Sequence, residues 1–223
     1  MQENTELLVA TLVYTLPDRE TDALAHIRLI AETIRQASGL ITFQFYRSRE
    51  LPPAYFLLST WEDEESWQQA REHANPMELL LAQPDLLAKP PEQWHLSYRW
   101  GYSRPARPHT VATTHIVTVP ADTFEATHTA WLQELRKLAK QFTFTFSFLA
   151  YGSADPDREE TGKHPLTGTV NTNLVKQDHV LLTFISWPTE AERMAFYRSN
   201  TYQRASALLE KKSNTYRLTL DPP

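Results

Sequence analysis

Residues 55–73 read YFLLSTWEDEESWQQAREH, an apolar run that ends on a Trp and is followed directly by four acidic residues. Residues 181–199, LLTFISWPTEAERMAFYRS, have the same form, with Trp187 standing 126 positions after Trp61. An apolar run of this length predicts a buried strand. Carboxylates directly after the run predict a helix start, because they favour the positive end of the helix dipole. We therefore expect a helix at each acidic run, with metal binding as the second interpretation.

These two stretches belong to a longer unit that the chain contains twice. The segment VATLVYTLP at 9–17 pairs with ATTHIVTVP at 112–120, and ITFQFYRS at 41–48 pairs with FTFSFLAY at 144–151. Both pairings have an offset of 103 residues, whereas the two Trp differ by 126. The second copy therefore carries 23 extra residues (126 minus 103), which we place in an inserted loop at about 152–178.

The periodicity of each copy predicts its strands and helices. Aromatic residues alternate with a period of two in the second strand, Phe43 and Phe45 in one copy and Phe146 and Phe148 in the other. Between the first two strands, apolar residues recur at helical spacing in both copies: Leu24, Ile27, Ile30, Ala31 and Ile34, then Phe124, Trp131, Leu132, Leu135, Leu138 and Ala139. With last strands at 94–100 and 216–220, each copy predicts a ferredoxin-like β-α-β-β-α-β unit.

Both faces of the predicted strands are apolar, although both helices of such a unit lie on one face. A bare apolar sheet of this size normally binds a partner, and the sheet of the other copy is the nearest candidate. We predict an α+β chain in which residues 1–104 and 105–223 form two ferredoxin-like units. The units pack sheet to sheet as a pseudo-dimer of the dimeric α/β-barrel type.

Composition limits the partners of the chain. The net charge is −5 and the 22 basic residues form no cluster, which argues against nucleic acid and membrane partners. The sequence has no cysteine, which excludes disulfides and thiolate sites and suits a reducing cytoplasm. No run reaches the roughly 18 apolar residues of a membrane span, and the first 17 residues lack the basic start of a signal peptide. We therefore expect a soluble cytoplasmic protein.

The element order and the stretch LLSTWEDEESW at 57–67 resemble the antibiotic biosynthesis monooxygenase superfamily, within the dimeric α/β-barrel group. The Leu-rich segment PMELLLAQPDLLAKPPE at 76–92 follows as in that family, and LLTFISWPTEAE at 181–192 anchors the second copy. Members of single length pair as homodimers, so a tandem chain would build the barrel within itself, and a further homodimer is compatible with this arrangement. The resemblance implies a small-molecule pocket between the sheet and the helices of each unit.

The resemblance also implies an activity class. Relatives carry out cofactor-independent oxidation of small electron-rich aromatic or quinol-type substrates, and others degrade haem. The Trp and His of haem-degrading relatives fall on Ala70 and Leu80 in the first copy and on Phe196 and Ser206 in the second, so we do not expect haem degradation. A non-catalytic small-molecule-binding or scaffold barrel is the alternative.

Two Trp and one His of the repeat are candidate site residues. Trp61 and Trp187 end the third strand of each copy, where they form either core packing or a pocket wall that stacks on a flat aromatic substrate. His73 lies three residues before Pro76, at the end of a helix. It is either a solvated histidine or a proton carrier at the pocket edge.

Two further histidines occupy apolar positions of the second copy. His128 lies where the first copy has Leu24, and the offset of 103 places His115 opposite Leu12. A buried imidazole needs a partner, so each is a satisfied core histidine, a site residue or a sign of wrong register. We predict His128 and His73 as catalytic proton carriers, and Trp61, Trp187 and His115 as substrate-binding residues.

Motifs for metals and common cofactors are missing from the sequence. The eight histidines form no H-E-x-x-H pattern, and no G-x-G-x-x-G, P-loop or G-x-S-x-G sequence occurs. We therefore expect no metal and no cofactor, with a small aromatic molecule as the partner.

Overall fold

The computed structural model describes residues 6–101, 111–154, 178–210 and 215–222. The elements of the first half are β1 (Leu7–Tyr14), α1 (Glu20–Arg35), β2 (Leu40–Ser48), β3 (Ala54–Trp61), α2 (Glu64–Ala74), α3 (Pro76–Leu81) and β4 (Glu92–Gly101). The elements of the second half are β5 (Val111–Val119), α4 (Phe124–Gln141), β6 (Phe146–Ala154), β7 (His179–Trp187), α5 (Glu190–Arg198), α6 (Asn200–Glu210) and β8 (Thr215–Asp221). Short 3-10 turns lie at Pro17–Arg19 and Pro84–Leu86.

The eight strands form one closed antiparallel barrel in the order β1-β3-β2-β8-β5-β7-β6-β4. Each half supplies four neighbouring strands in the ferredoxin-like order, β4-β1-β3-β2 in the first and β8-β5-β7-β6 in the second. This confirms the predicted α+β pseudo-dimer of two ferredoxin-like units. The two sheets meet at their edges as well as through their bare faces, since β2 pairs with β8 and β4 pairs with β6.

The bare sheet faces line the interior of the barrel, and aromatic rings fill it. Phe184 of β7 lies among rings from both halves, with its centroid 5.1 Å from that of Tyr46 and 5.4 Å from those of Phe146 and Phe148. The Phe56 ring of the first half stacks on it at 6.5 Å. Closing the barrel therefore buries both of the apolar faces that the sequence pattern left without a helix.

Residues 1–104 expressed alone are expected to self-associate or aggregate. The fragment retains α1 and α2 on one sheet face but loses the half-barrel that covers the other face, including the buried side chains of Leu8, Leu12 and Phe56. Size-exclusion chromatography with light scattering measures this directly. A well-behaved monomeric fragment would contradict the barrel.

The helix starts after the third strands have the predicted chemistry. In the first half, the Asp63 carboxylate accepts a hydrogen bond from the Ser66 backbone N–H at 2.7 Å and caps α2. In the second half, the Thr189 hydroxyl accepts from the Glu192 N–H at 3.2 Å and donates to its carboxylate at 2.8 Å, so Thr189 caps α5. The acidic runs are therefore helix starts.

The strand registers correct the alignment of the two copies by one residue. Leu7 pairs with Trp61 and Val111 pairs with Trp187, so β1 and β5 differ by 104 residues and not by 103. The second strands have the same offset of 104, which aligns Thr42 with Phe146. A shift of one residue moves a side chain to the opposite sheet face.

Two alignments made from the sequence are therefore wrong. Phe43 and Phe45 pack under the helices of the first half, whereas Phe146 and Phe148 point into the barrel interior. His115 corresponds to Thr11 and not to Leu12. The exchange of Leu for His holds at His128, whose counterpart is Leu24 at the correct offset, and does not hold at His115.

The two seams between the halves are unequal. Seven residue pairs join β4 to β6, whereas two pairs, Arg47 with Asp221 and Ser48 with Leu220, join β2 to β8 in the described part of the chain. Beyond those pairs the Arg49 N–H donates to the Thr219 carbonyl at 2.9 Å. The Glu50 carboxylate accepts from the Thr219 N–H at 2.9 and 3.0 Å. Side chains therefore supplement the short seam.

The predicted insertion and linker fall mainly outside the described residues. β6 continues to Ala154, so residues 152–154 are a strand and not part of a loop. The rest of the insertion, with TVNTNL at 169–174, and the boundary between residues 104 and 105 lie outside the described ranges. The domain boundaries and the inserted loop stay predictions.

Candidate functional site

A row of side chains on the helix-facing side of the second sheet includes His115. In the strand registers, His115 lies between Thr183 of β7 and Arg217 of β8. The helices α4, α5 and α6 cover this face with a cluster of buried apolar residues. Only 4% of the His115 side chain is exposed, so its polar atoms must find partners within the protein.

Tyr202 of α6 supplies one partner of His115. Its hydroxyl lies 2.9 Å from Nε2 of the imidazole, at hydrogen-bonding distance. The other ring nitrogen, Nδ1, is buried without a hydrogen-bond partner among the described residues. Nδ1 is a free donor when the tyrosine donates to Nε2, and a free acceptor in the other tautomer. The arrangement leaves one buried polar atom for a further group.

Burial keeps His115 neutral. Loss of solvation, with a smaller contribution from the Arg217 guanidinium, lowers the pKa of His115 from 6.5 to about 3. At neutral pH the ring can therefore donate one hydrogen bond and accept another, but it does not carry a positive charge. This favours a role in binding a polar group and disfavours a role as a general base, which works best with a pKa near the operating pH.

The His115 pKa predicts a loss of stability on acidification. Below pH 6.5 the unfolded chain takes up a proton at this residue, whereas the folded chain does so only near pH 3. Its contribution is fully retained above pH 6.5 and falls by about 1.4 kcal/mol per pH unit below it. Urea unfolding at about pH 7 and about pH 5 measures the slope. His115→Gln, which cannot titrate, should flatten it, and an unchanged slope in that variant would contradict the assignment.

Tyr197 of α5 packs beside this pair. Its ring lies 6.0 Å from that of His115 and 4.6 Å from that of Tyr202. Two guanidinium groups flank it, Arg193 at 5.6 Å and Arg217 at 5.8 Å from the ring centroid. Burial of the hydroxyl raises the pKa of Tyr197, so it stays protonated. Cations beside an aromatic ring are stabilised by its quadrupole.

The two third-strand Trp are both fully buried in the core. Trp61 donates from Nε1 to the Ser59 hydroxyl at 3.0 Å and packs edge to face on Trp67 at 5.2 Å. Trp187 packs on Phe144 at 4.9 Å and reaches Tyr197 at 6.3 Å. Trp187 and His115 therefore both lie beside the Tyr197 ring.

His128 of α4 lies at the border of the same layer. Its ring stacks on Phe124 at 5.6 Å and contacts Tyr151 of β6 at 5.6 Å. The side chain is half-buried, and burial lowers the pKa of His128. Nε2 is buried without a hydrogen-bond partner among the described residues. Two strand spacings and two residues separate Tyr151 from His115, roughly 12 Å between Cα atoms.

Trp131 connects the places of the two histidines. It is fully buried on α4, one turn after His128, and its Nε1 donates to the Thr183 hydroxyl at 2.8 Å. Thr183 is the cross-strand neighbour of His115. The indole therefore lies in the layer between the half-buried and the buried histidine.

The first half has different chemistry at the same place. Thr11, the counterpart of His115, accepts a hydrogen bond from the buried Gln93 amide at 2.9 Å, and that amide also donates to Asn75 at 3.0 Å. His73 is exposed at the end of α2. The structure thus places His73 and Trp61 apart from the three predicted residues of the second half.

Three residues near His115 escaped the sequence analysis: Tyr197, Tyr202 and Arg217. The two tyrosines lie on either side of the junction between α5 and α6, where the Ser199 hydroxyl accepts from the Tyr202 N–H at 3.1 Å. The sequence contains only a weak signal for them: two tyrosines lie close to a break between helices, and one charged residue lies within an otherwise apolar strand.

Surface cavities lined by described residues lie elsewhere. One of about 470 Å³ runs between α4 and α6, lined by Glu134, Lys137 and Arg204 among others. Another of about 280 Å³ lies at the short seam around Arg49 and Glu50. Among described residues no group of three or more His, Asp or Glu side chains has the arrangement of a metal site. Within the same ranges, no helix has the length and apolar character needed to cross a membrane.

Comparison with known proteins relates the chain to one family. Residues 7–75 match the family model named antibiotic biosynthesis monooxygenase. No curated protein sequence matches the chain. The family match supports a general monooxygenase-like role.

Solved structures share the fold over the whole length. A proposed monooxygenase of Fusobacterium nucleatum subsp. nucleatum ATCC 25586 superposes with a TM-score of 0.68 at 7% identity, over 100% of this chain and 94% of its own. An anthrone oxidase-like protein gives 0.67 at 12% identity, over 99% and 92%. A proposed monooxygenase of Lactobacillus acidophilus NCFM gives 0.61 at 8% identity, over 97% and 93%. At these identities the likeness shows the fold alone. Residues 7–75 therefore match the antibiotic biosynthesis monooxygenase family, and the whole chain shares the fold of these structures, with the α/β-barrel built from a single polypeptide.

Proposed function

We propose that this chain is a cofactor-independent monooxygenase that oxidises a small electron-rich aromatic or quinol-type substrate in the cytoplasm. The site lies in the second half, between the sheet and helices α4, α5 and α6. The observation that carries the proposal is the neutral, buried His115–Tyr202 pair, whose second ring nitrogen has no hydrogen-bond partner in the described protein. Aromatic rings surround the pair, as binding of a flat substrate requires.

The two histidines take different roles in this proposal. His115 is fully buried and neutral, so it binds a hydroxyl or carbonyl oxygen of the substrate. His128 is half-buried at the border of the layer, so it accepts a proton and passes it to solvent. Trp131 and Trp187 provide aromatic walls. Access to this filled layer requires side chains to move when the substrate enters.

The substrate supplies the electrons of the reaction. In an anthrone-type substrate, an activated methylene group loses a proton to His128, and the resulting carbanion reduces O₂ and forms a C–O bond. Loss of water from the hydroperoxide then leaves a carbonyl, so that CH₂ and O₂ become C=O and H₂O. The protein needs to bind the substrate, move a proton and exclude water from the anion. The apolar layer around His115 suits the last of these tasks.

Oxygen uptake with a panel of anthrones and quinols tests the proposal. A substrate of the expected class should consume one O₂ per molecule oxidised, with the purified protein and no added cofactor. A variant with Phe in place of Tyr202 should bind this substrate more weakly, because His115 loses its hydrogen-bond partner. No uptake above the spontaneous rate with any member of the panel would contradict the proposal.

A non-catalytic binding or scaffold barrel is the second candidate. Complete burial of Trp131, Trp187 and Phe196 favours it, since these side chains already fill the layer where relatives of the family hold ligands. This function predicts binding without turnover, or neither. Fluorescence titration of the buried Trp with the same aromatic panel separates a binding barrel from a scaffold, because a bound aromatic compound changes the emission, whereas a scaffold with a filled layer leaves it unchanged.

A further inference from the structure

A chain of charged contacts leads from the first half of the protein to the site of the second half. Arg49, directly after β2, contacts Glu190 of α5 with Nη1 3.0 Å from Oε2. Glu190 in turn binds Arg193, with Nη2 2.6 Å from Oε1. The Arg193 guanidinium lies 5.6 Å from the Tyr197 ring centroid, and that ring packs on His115.

The strand seam fixes the first member of this chain. The Arg49 guanidinium binds both carboxylate oxygens of Asp221, with Nε 2.9 and 3.0 Å from them and Nη2 2.7 Å from Oδ1. Its backbone N–H is bound to Thr219. A bidentate arginine–carboxylate pair restricts the orientation of both groups. Arg49 therefore presents a guanidinium of fixed position to Glu190.

Glu190 interacts with both arginines. The hydrogen bond with Arg193 lowers the pKa of Glu190 most, and the hydrogen bond with Arg49 lowers it further. Glu190 opens α5, a helix of nine residues, and Tyr197 stands in its last turn. Helices this short depend on tertiary contacts for their position. The ion pairs of Glu190 at the first turn of α5 therefore influence the position of the Tyr197 ring in its last turn.

We propose that Arg49 is a positioning residue for the site of the other half. Through Glu190 and Arg193 it sets the place of the Tyr197 ring against His115, so the site of the second half is complete only with a residue of the first. The counterpart of Arg49 at the offset of 104 is Ser153, which has no charge. The effect on turnover rests on the proposed function, whereas the effect on Tyr197 does not.

The Arg49–Glu190 ion pair is exposed, which decides what the experiment should detect. The side chains of Arg49 and Glu190 are 41% and 45% exposed. Exposed pairs contribute little to stability and are screened by salt. Their loss should therefore displace the tyrosine ring without unfolding the protein, and high salt should have the same effect.

Fluorine NMR of the protein labelled with 3-fluorotyrosine measures the ring directly. Tyr197→Phe assigns its resonance. We expect Arg49→Gln and Glu190→Gln to move the Tyr197 resonance by more than its linewidth, and the double variant to move it no further than either single one. Arg47→Gln is the matched control, because Arg47 lies two residues before Arg49, on β2, and binds Glu20 of its own half at 2.5 Å. This control should leave the resonance in place.

The outcomes separate the two proposals. An unmoved Tyr197 resonance in both Arg49→Gln and Glu190→Gln would overturn the positioning role. Glu190→Gln leaves the Arg49–Asp221 pair intact, so it keeps the test valid if the seam of Arg49→Gln opens. With an active substrate, we expect kcat to fall several-fold in both variants and to stay unchanged in Arg47→Gln. A moved resonance without turnover on any substrate would retain the coupling and reject the oxygenase.

Discussion

Replacement of His128 by Leu is expected to lower kcat for the oxidation of an anthrone or quinol substrate by about 10²- to 10⁴-fold, the usual contribution of a positioned general base. The free energy of unfolding should stay within about 1 kcal/mol, because Leu24 occupies the same place in the first half and packs against its helix-facing core. The measurements are kcat from oxygen uptake and a urea unfolding curve on the same preparation.

His73→Leu is the control for this prediction. His73 is exposed at the end of α2 in the first half, so its loss should leave turnover unchanged. Full activity in His128→Leu would show that the half-buried histidine does not carry the proton. An equal loss in both variants would show that the effect does not depend on the site.

Phe184→Ala should destabilise the protein by about 3–5 kcal/mol, the range for removing a buried Phe. Phe184 is fully buried at the point where rings of both halves meet, and its removal leaves a cavity that β-strands paired on both sides cannot collapse to fill. Because the ring contacts Tyr46 and Phe56, the loss also weakens the association of the two half-barrels.

The control for the core variant is Leu29→Ala. Leu29 lies on α1 with 58% of its side chain exposed, so the same kind of truncation should cost about 0.5 kcal/mol or less. Chemical unfolding followed by tryptophan fluorescence compares the two. A loss below about 1 kcal/mol for Phe184→Ala would mean that the barrel interior is not the main joint between the halves.

Local pattern was sufficient to predict the fold. Ile27, Ile30 and Ile34 recur at helical spacing, and this spacing identifies the buried face of α1. The acidic residues after Trp61 identify a helix start. Both are decided by residues close together in the chain. Since the strands read apolar on both faces, the closed barrel followed from the need to cover the second face.

The register could not be read in the same way. A slip of one residue is visible in the sequence when one face of a strand is polar and the other apolar, but β5 mixes apolar and polar residues on both faces and β6 carries apolar residues on both. Phe43 and Phe146 therefore looked equivalent although they lie on opposite sides of the sheet. The error carried directly to His115, which was matched with Leu12.

The neighbours of His115 were also beyond sequence analysis. Tyr202 and Arg217 meet this histidine across 87 and 102 residues of chain, and no periodicity links positions that far apart. His128 was easier to find, because it interrupts a helical stripe whose other members are apolar. The sequence therefore indicated the border of the site better than its centre.

Fusion of the two halves removes the symmetry that a homodimer would impose on its interior. In a two-fold dimer both subunits contribute the same surface to the interface, so every substitution appears twice. In this chain the equivalent positions of the two halves differ. The strand registers align Phe146, Phe148 and Phe184 of the second half with Thr42, Gln44 and Leu58 of the first. At these three positions, two copies of the second half would place six aromatic rings in one barrel, and two copies of the first half would place none. The two halves thus bring different side chains to the shared interior at equivalent positions, and each half has become the specific partner of the other.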